Sequence, residues 1–109
     1  MKIAVIRSRS LTNIILDQYV TEDTEEIVSG GAVGVDACAA EYAKRKGIKL
    51  TEFLPEYQRY GRGAPIVRNK KIVDYADKII VFWNGSSKGT LSVIKYAQKI
   101  GKEYEVIIC

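Results

Sequence analysis

The sequence predicts an α/β fold: a doubly wound, five-stranded parallel sheet in the order 3-2-1-4-5, with helices on both faces. Three observations carry that expectation. Short β-branched apolar runs alternate regularly with amphipathic stretches, the pattern of βαβ units joined by right-handed crossovers. Glycine-bearing turns stand at two of the strand-to-helix junctions. At 109 residues the chain has room for one hydrophobic core and no more, so residues 1–109 are expected to form a single domain.

The elements follow in order. Residues 2–6 (Lys-Ile-Ala-Val-Ile) form an apolar β-branched run of the kind buried on both faces of a parallel sheet. Leu11, Ile14, Ile15 and Tyr19 then recur at helical spacing, with Ser10 or Thr12 as N-cap. The acidic stretch over residues 21–26 reads as a surface turn, and a second strand covers about 25–29. Val35, Cys38, Ala39, Tyr42 and Ala43 trace one face of a second helix, which Gly47 ends. Residues 48–54 read as a third strand. The stretch 55–65 holds both prolines, two glycines, two tyrosines and two arginines, more than a simple turn requires, and reads as a functional loop. Pro65 suits the first turn of a helix running to Tyr75. A fourth strand at 78–83, a helix at 88–100 stopped by Gly101, and a fifth strand at 104–108 complete the chain.

Composition excludes several chemistries. There is no histidine, which removes Ser-His-Asp catalysis and imidazole acid-base chemistry. The two cysteines, Cys38 and Cys109, form no CxxC pair, so neither a metal site nor a disulfide framework is expected. No cofactor is expected either. The absence of a membrane-length apolar run and of a signal-peptide pattern leads to a cytoplasmic assignment with no membrane partner. A net charge of +4 suits anionic partners without demanding nucleic acid.

The chemistry concentrates in the two glycine turns. Ser29-Gly30-Gly31-Ala32-Val33-Gly34-Val35-Asp36 follows the second strand, and Asn84-Gly85-Ser86-Ser87-Lys88-Gly89-Thr90 follows the fourth. A strand, a tight turn and a helix start leave backbone N–H groups pointing outward at the positive end of a helix dipole, a natural seat for phosphate. In a sheet of this order all these junctions open on the carboxyl edge, with the crevice at the switch point between strands one and four.

These two turns, with Ala64-Pro65-Ile66-Val67-Arg68-Asn69-Lys70 between them, resemble the SLOG superfamily of Rossmann-like proteins over nearly the whole chain. That group includes DNA-processing protein A and the Lonely Guy cytokinin-activating enzymes, and the pattern here is most similar to its small stand-alone YspA-like branch. The resemblance implies a Rossmann-like fold and a nucleotide pocket. The ligand-binding residues it points to are Ser8 and Arg9 after the first strand, Gly30, Gly31, Ala32, Gly34 and Asp36 in the first glycine turn, and Arg62, Arg68 and Asn69. Ser86, Ser87, Lys88, Gly89 and Thr90 in the second turn complete them. Two departures stand out: Arg7 occupies the place of the glycine usual before Ser-Arg, and Gly89-Thr90 is followed by Leu91, Ser92 and Val93 where Lonely Guy enzymes carry a catalytic glutamate.

Each assignment has a structural alternative. Gly30, Gly31 and Gly34 also suit tight strand-helix packing, Ser86 and Ser87 suit a helix cap, and Asp36 favours the helix dipole whatever it binds. Arg68, Asn69, Lys70 and Lys71 could form a solvated face, although a guanidinium grips phosphate or carboxylate bidentately. Tyr57 and Tyr60 suit base stacking or loop packing equally, and Trp83 reads as the edge of the core.

Three functions follow. The leading one is binding of a nucleotide or nucleotide-derived phosphorylated ligand. The second is hydrolysis of an N-glycosidic bond in a nucleoside monophosphate, for which Asp36, Glu41, Glu52 and Glu56 are the available carboxylates. The third is single-stranded DNA binding, with Lys44, Arg45, Lys46 and Lys49 as a basic cluster and Arg59 and Arg62 interleaved with Tyr57 and Tyr60. The apolar and aromatic residues Leu91, Val93, Ile94, Tyr96, Ala97 and Ile100 exceed one core-facing stripe. They lead to a predicted homodimer, or dimer of dimers, through the last two helices.

Overall fold

The computed structural model describes residues 1–7, 16, 19–30 and 37–108. In it five strands, β1 (Lys2–Arg7), β2 (Glu26–Ser29), β3 (Lys49–Glu52), β4 (Lys78–Trp83) and β5 (Glu103–Ile108), form one sheet in the order β3-β2-β1-β4-β5. Every pairing is parallel. Among the described residues the helices are α1 (Ala37–Lys46), α2 (Tyr57–Tyr60), α3 (Ala64–Tyr75) and α4 (Lys88–Ile100), with a 3-10 turn at Gly61–Gly63. The helix expected over residues 10–19 falls mostly outside the described residues.

Period-two alternation along the central strands divides the core between the two faces of the sheet. Ile3, Val5, Ile27, Ile80 and Phe82 pack with Leu16, Val20 and the α1 residues Ala39, Tyr42 and Ala43. Their neighbours Ala4, Val28, Ile79 and Val81 face the other way, onto Ile72, Val73 and Ala76 at α3 and Val93, Ile94 and Ala97 of α4. Helices therefore cover both faces, which is why β1 and β4 carry unbroken apolar runs and β2 is buried along its whole length. Burying each of the isoleucines in those strands stabilises the fold by about 1.5–3 kcal/mol relative to exposure. The outer strand β5 instead alternates exposed and half-buried residues.

Helix ends carry the stop and start signals expected of them. Pro65 lies in the first turn of α3. The Lys102 N–H closes back on the Ala97 carbonyl (2.9 Å) after Gly101, and the Ile48 N–H on that of Ala43 (2.9 Å) after Gly47. This second bond takes Ile48 out of β3, which runs over four residues rather than the seven read from the sequence.

Two other expectations change. The stretch read as a loop at 55–65 is folded: the Glu56 carbonyl accepts from the N–H groups of Arg59 and Tyr60 (3.1 and 3.0 Å), α2 forms, and the 3-10 turn leads directly into α3. Glu26, where the expected surface turn and the expected second strand overlap, is buried as the first residue of β2. Its carboxylate accepts from Tyr75 OH at 2.5 Å and Thr51 Oγ1 at 2.7 Å, with Lys49 Nζ at 3.7 Å.

A candidate ligand-binding edge

Parallel strands aim their carboxyl ends, and the turns that follow them, at one edge of the sheet. Beyond β2 that edge is organised around Arg68. Its position in the second turn of α3 carries the guanidinium to the end of β2. There Nη1 donates to the Gly30 carbonyl at 2.8 Å, while Nε donates to Asn69 Oδ1 at 2.7 Å. The contact depends on glycine, because a Cβ on residue 30 would lie 2.4 Å from Nη1 and 2.9 Å from Cζ. Gly30 thus serves close approach of a cation to the backbone. Just before it, Ser29 is fully buried, and its Oγ has no hydrogen-bond partner among the described residues.

The turn after β4 is built differently. Asn84 Oδ1 accepts from the N–H groups of Ser86 and Ser87, both at 2.9 Å, while Gly85 turns the chain with φ of 86°. Ser87 is the N-cap of α4: its Oγ accepts from the Thr90 N–H at 3.4 Å, and its carbonyl from the Leu91 N–H at 3.1 Å. Trp83 completes the turn by donating its indole N–H to the same carbonyl at 3.1 Å. The N–H groups of Lys88 and Gly89 lie outside these capping bonds. Both residues are exposed, and a Cβ on Gly89 would meet nothing within 4 Å.

Of the residues expected at the site, the structure brings Gly30, Arg68 and Asn69 into direct contact. Ser86, Ser87, Lys88, Gly89 and Thr90 stand together at the start of α4, where Thr90 is buried. Asn69 also lines a small groove between α3 and α4 with Lys70, Ser92 and Tyr96. Arg62 is exposed in the 3-10 turn. Ser8, Arg9, Gly31, Ala32, Gly34 and Asp36 lie outside the described residues. Around the edge Leu54 and Tyr57 are more than half exposed, at 64% and 56%, and Tyr60 has the cations of Arg59 and Lys71 at 5.2 and 5.8 Å from its ring centroid.

The carboxylates considered for hydrolysis are placed otherwise. Glu56 is engaged by Lys71 at 3.3 Å and Arg59 at 3.8 Å. Glu52 is exposed at the end of β3, and Glu41 is exposed on α1. The carboxylate with the most developed surroundings is Glu26, at the opposite edge. Burial pushes its carboxyl up, but the Tyr75 and Thr51 hydrogen bonds, with Lys49 and Lys2 nearby, outweigh that and hold it below the ordinary glutamate value. The same bond raises the Tyr75 phenol. Nothing in the local pattern marks Glu26, because its partners come from β3 and α3.

Among the described residues no cluster of three or more His, Cys, Asp or Glu side chains could hold a metal ion, and no helix is long and apolar enough to cross a membrane. A scan of protein-family models and searches of curated proteins and of solved structures find no match to this chain.

Proposed function

We propose that the chain binds a nucleotide or nucleotide-derived phosphorylated ligand at the carboxyl edge of its sheet. The observation that carries this reading is the Arg68 guanidinium lying against Gly30, held by a carbonyl at 2.8 Å. A planar cation placed by glycine-dependent contact at a strand end suits a phosphate or carboxylate. The N–H groups of Lys88 and Gly89, which take no part in the capping bonds described above, would add backbone donors at the positive end of α4, Asn69 a side-chain amide, and exposed Tyr57 an aromatic face for a base. The motifs carrying these residues are those that resemble the SLOG superfamily, of which we propose the chain is a member. Binding is favoured over hydrolysis because Glu56 is committed to two cations and no carboxylate follows Gly89-Thr90.

Isothermal titration with nucleoside mono- and diphosphates and ADP-ribose tests the reading. Saturable binding to at least one, lost in Arg68→Ala, is the expected outcome. Absence of saturable heat with every one of them sinks it.

The proposal includes self-association through α3 and α4, on a smaller surface than the sequence pattern predicts. Val93 is 2% exposed and belongs to the core, as do Ile94 and Ala97. What remains outward is Ile66, Ile100 and half-buried Leu91 and Tyr96. Sedimentation equilibrium should give a dimer that Ile66→Glu with Tyr96→Glu dissociates; a monomer at micromolar concentration removes this part.

A further inference from the structure

We infer that Tyr75, through the Glu26 carboxylate it binds, is the positioning residue that keeps Arg68 seated on Gly30. The seating stands on geometry alone; its effect on affinity rests on the ligand-binding reading above.

β2 and α3 run in opposite directions and are joined at both ends. At the carboxyl end of β2 the Arg68 guanidinium binds the Gly30 carbonyl. At the amino end Tyr75 OH binds Glu26 Oε2 at 2.5 Å. The spacings match: Arg68 to Tyr75 is close to two helical turns, which returns both side chains to one side of α3 after a rise of about 10.5 Å. Glu26 to Gly30 along an extended strand covers about 13 Å. Between the two joints Ile72 and Val73 are buried in the same core as Val28.

The lower joint is the stiffer one. Thr51 Oγ1 donates to the same Glu26 oxygen at 2.7 Å, bringing β3 into it. The Tyr75 ring meets Phe53 edge-on at 5.5 Å between centroids and carries the Lys2 ammonium at 4.2 Å. At the upper joint the guanidinium occupies the space that a Cβ would take on residue 30. A helix displaced along β2 would carry the Arg68 backbone away from the Gly30 carbonyl that its side chain binds. The other bonds near the end of α3 do not reach β2: Asp77 exchanges bonds with the backbone of Lys2 in β1, and Lys102 Nζ donates to the Ala76 carbonyl.

Solvent exchange of the Arg68 Nε–H, followed by nitrogen-edited NMR and assigned from its loss in Arg68→Lys, tests the inference without a ligand. Tyr75→Phe keeps the ring and removes only the hydroxyl. It is expected to speed that exchange about tenfold, a coupling of the size found within one hydrogen-bonded network. Lys102→Met removes a bond at the same edge that does not reach β2, and should leave the rate within about twofold. Unchanged exchange in Tyr75→Phe, or equal acceleration in both variants, overturns the inference. If Tyr75→Phe does not fold, Glu26→Met, which has no side-chain oxygen to accept from the hydroxyl, takes its place with the same two outcomes. A parallel AMP titration separates the claims: wild-type protein that ignores AMP counts against nucleotide binding, while the exchange rates still decide the role of Tyr75.

Discussion

At the amino edge of the sheet the polar groups named above close on one another. Glu26 takes two hydroxyls, Lys2 and Asp77 exchange backbone and carboxylate bonds at 2.7 and 2.8 Å, Lys102 reaches the Ala76 carbonyl, and Lys78 pairs with Glu105 at 3.7 Å. At the carboxyl edge a guanidinium rests on a backbone carbonyl, a buried hydroxyl at Ser29 has no hydrogen-bond partner among the described residues, and Leu54, Tyr57 and Ile66 face outward. Polar groups bonded within the protein act on stability. Groups that face outward can act on binding, so the two edges should answer differently to the same kind of substitution.

The largest expected effect tests the amino edge. Glu26→Ala strips the acceptor from two hydroxyls and should cost about 2–3 kcal/mol in urea unfolding; a loss below about 0.5 kcal/mol, the range of an ordinary surface change, would break the comparison. The same residue sets a pH dependence. Its folded-state pKa lies below the unfolded value, so its contribution is complete above the ordinary glutamate value and is lost as pH falls through the folded pKa. Stability should therefore decline in acid below that value, and Glu26→Gln should flatten the decline. An unchanged profile would remove Glu26 as the cause.

Next comes Arg68→Ala, expected to weaken nucleotide affinity by ten- to a hundredfold, the loss of a charge-assisted hydrogen bond, while unfolding shifts by less than about 1 kcal/mol. The reverse order of effects would make Arg68 a structural residue. Gly30→Ala should weaken affinity about tenfold by displacing the guanidinium, and adding Arg68→Ala to it should cost little more. Full additivity of the two would mean that they act separately. The smallest effect sharpens the comparison within the carboxyl edge itself. Gly89→Ala enters open space in the first turn of α4, so thermal unfolding should show a gain of up to about 0.5–1 kcal/mol. If the ligand approaches the Gly89 N–H, titration of the same variant should show reduced affinity.

The sequence made the sheet order and the strongly bounded elements legible. β4 and α4 fall at 78–83 and 88–100 as predicted, because a six-residue apolar run, a serine cap and a terminal glycine are all local signals. α2 was hidden by its length. Four residues show no periodicity, and the Glu56 pair with Lys71 that ties the segment to α3 is a contact between distant residues. The site was legible as two glycine turns and an Arg-Asn pair. That Arg68 lies on Gly30 was not, since thirty-eight residues separate them. Glu26 fell where the expected turn and the expected strand overlapped, and what decides between them was hidden for the same reason: the hydroxyls that bond its carboxylate come from β3 and α3.

The parallel ladders carry a consequence for how the chain acquires its shape. In β1, Ile3 pairs with Ile27 on one side and Lys78 on the other, so the middle of the sheet cannot close until β4 has been made. At synthesis rates of 5–20 residues per second, β1 waits roughly 4–15 s for that partner. During this interval Ile3, Ala4 and Val5 have one open flank, and the first half of the protein is a set of three strands with β1 at its open edge. A ribosome-bound chain stopped shortly before β4 should therefore be readily engaged by chaperones, and one extended past α4 should be released.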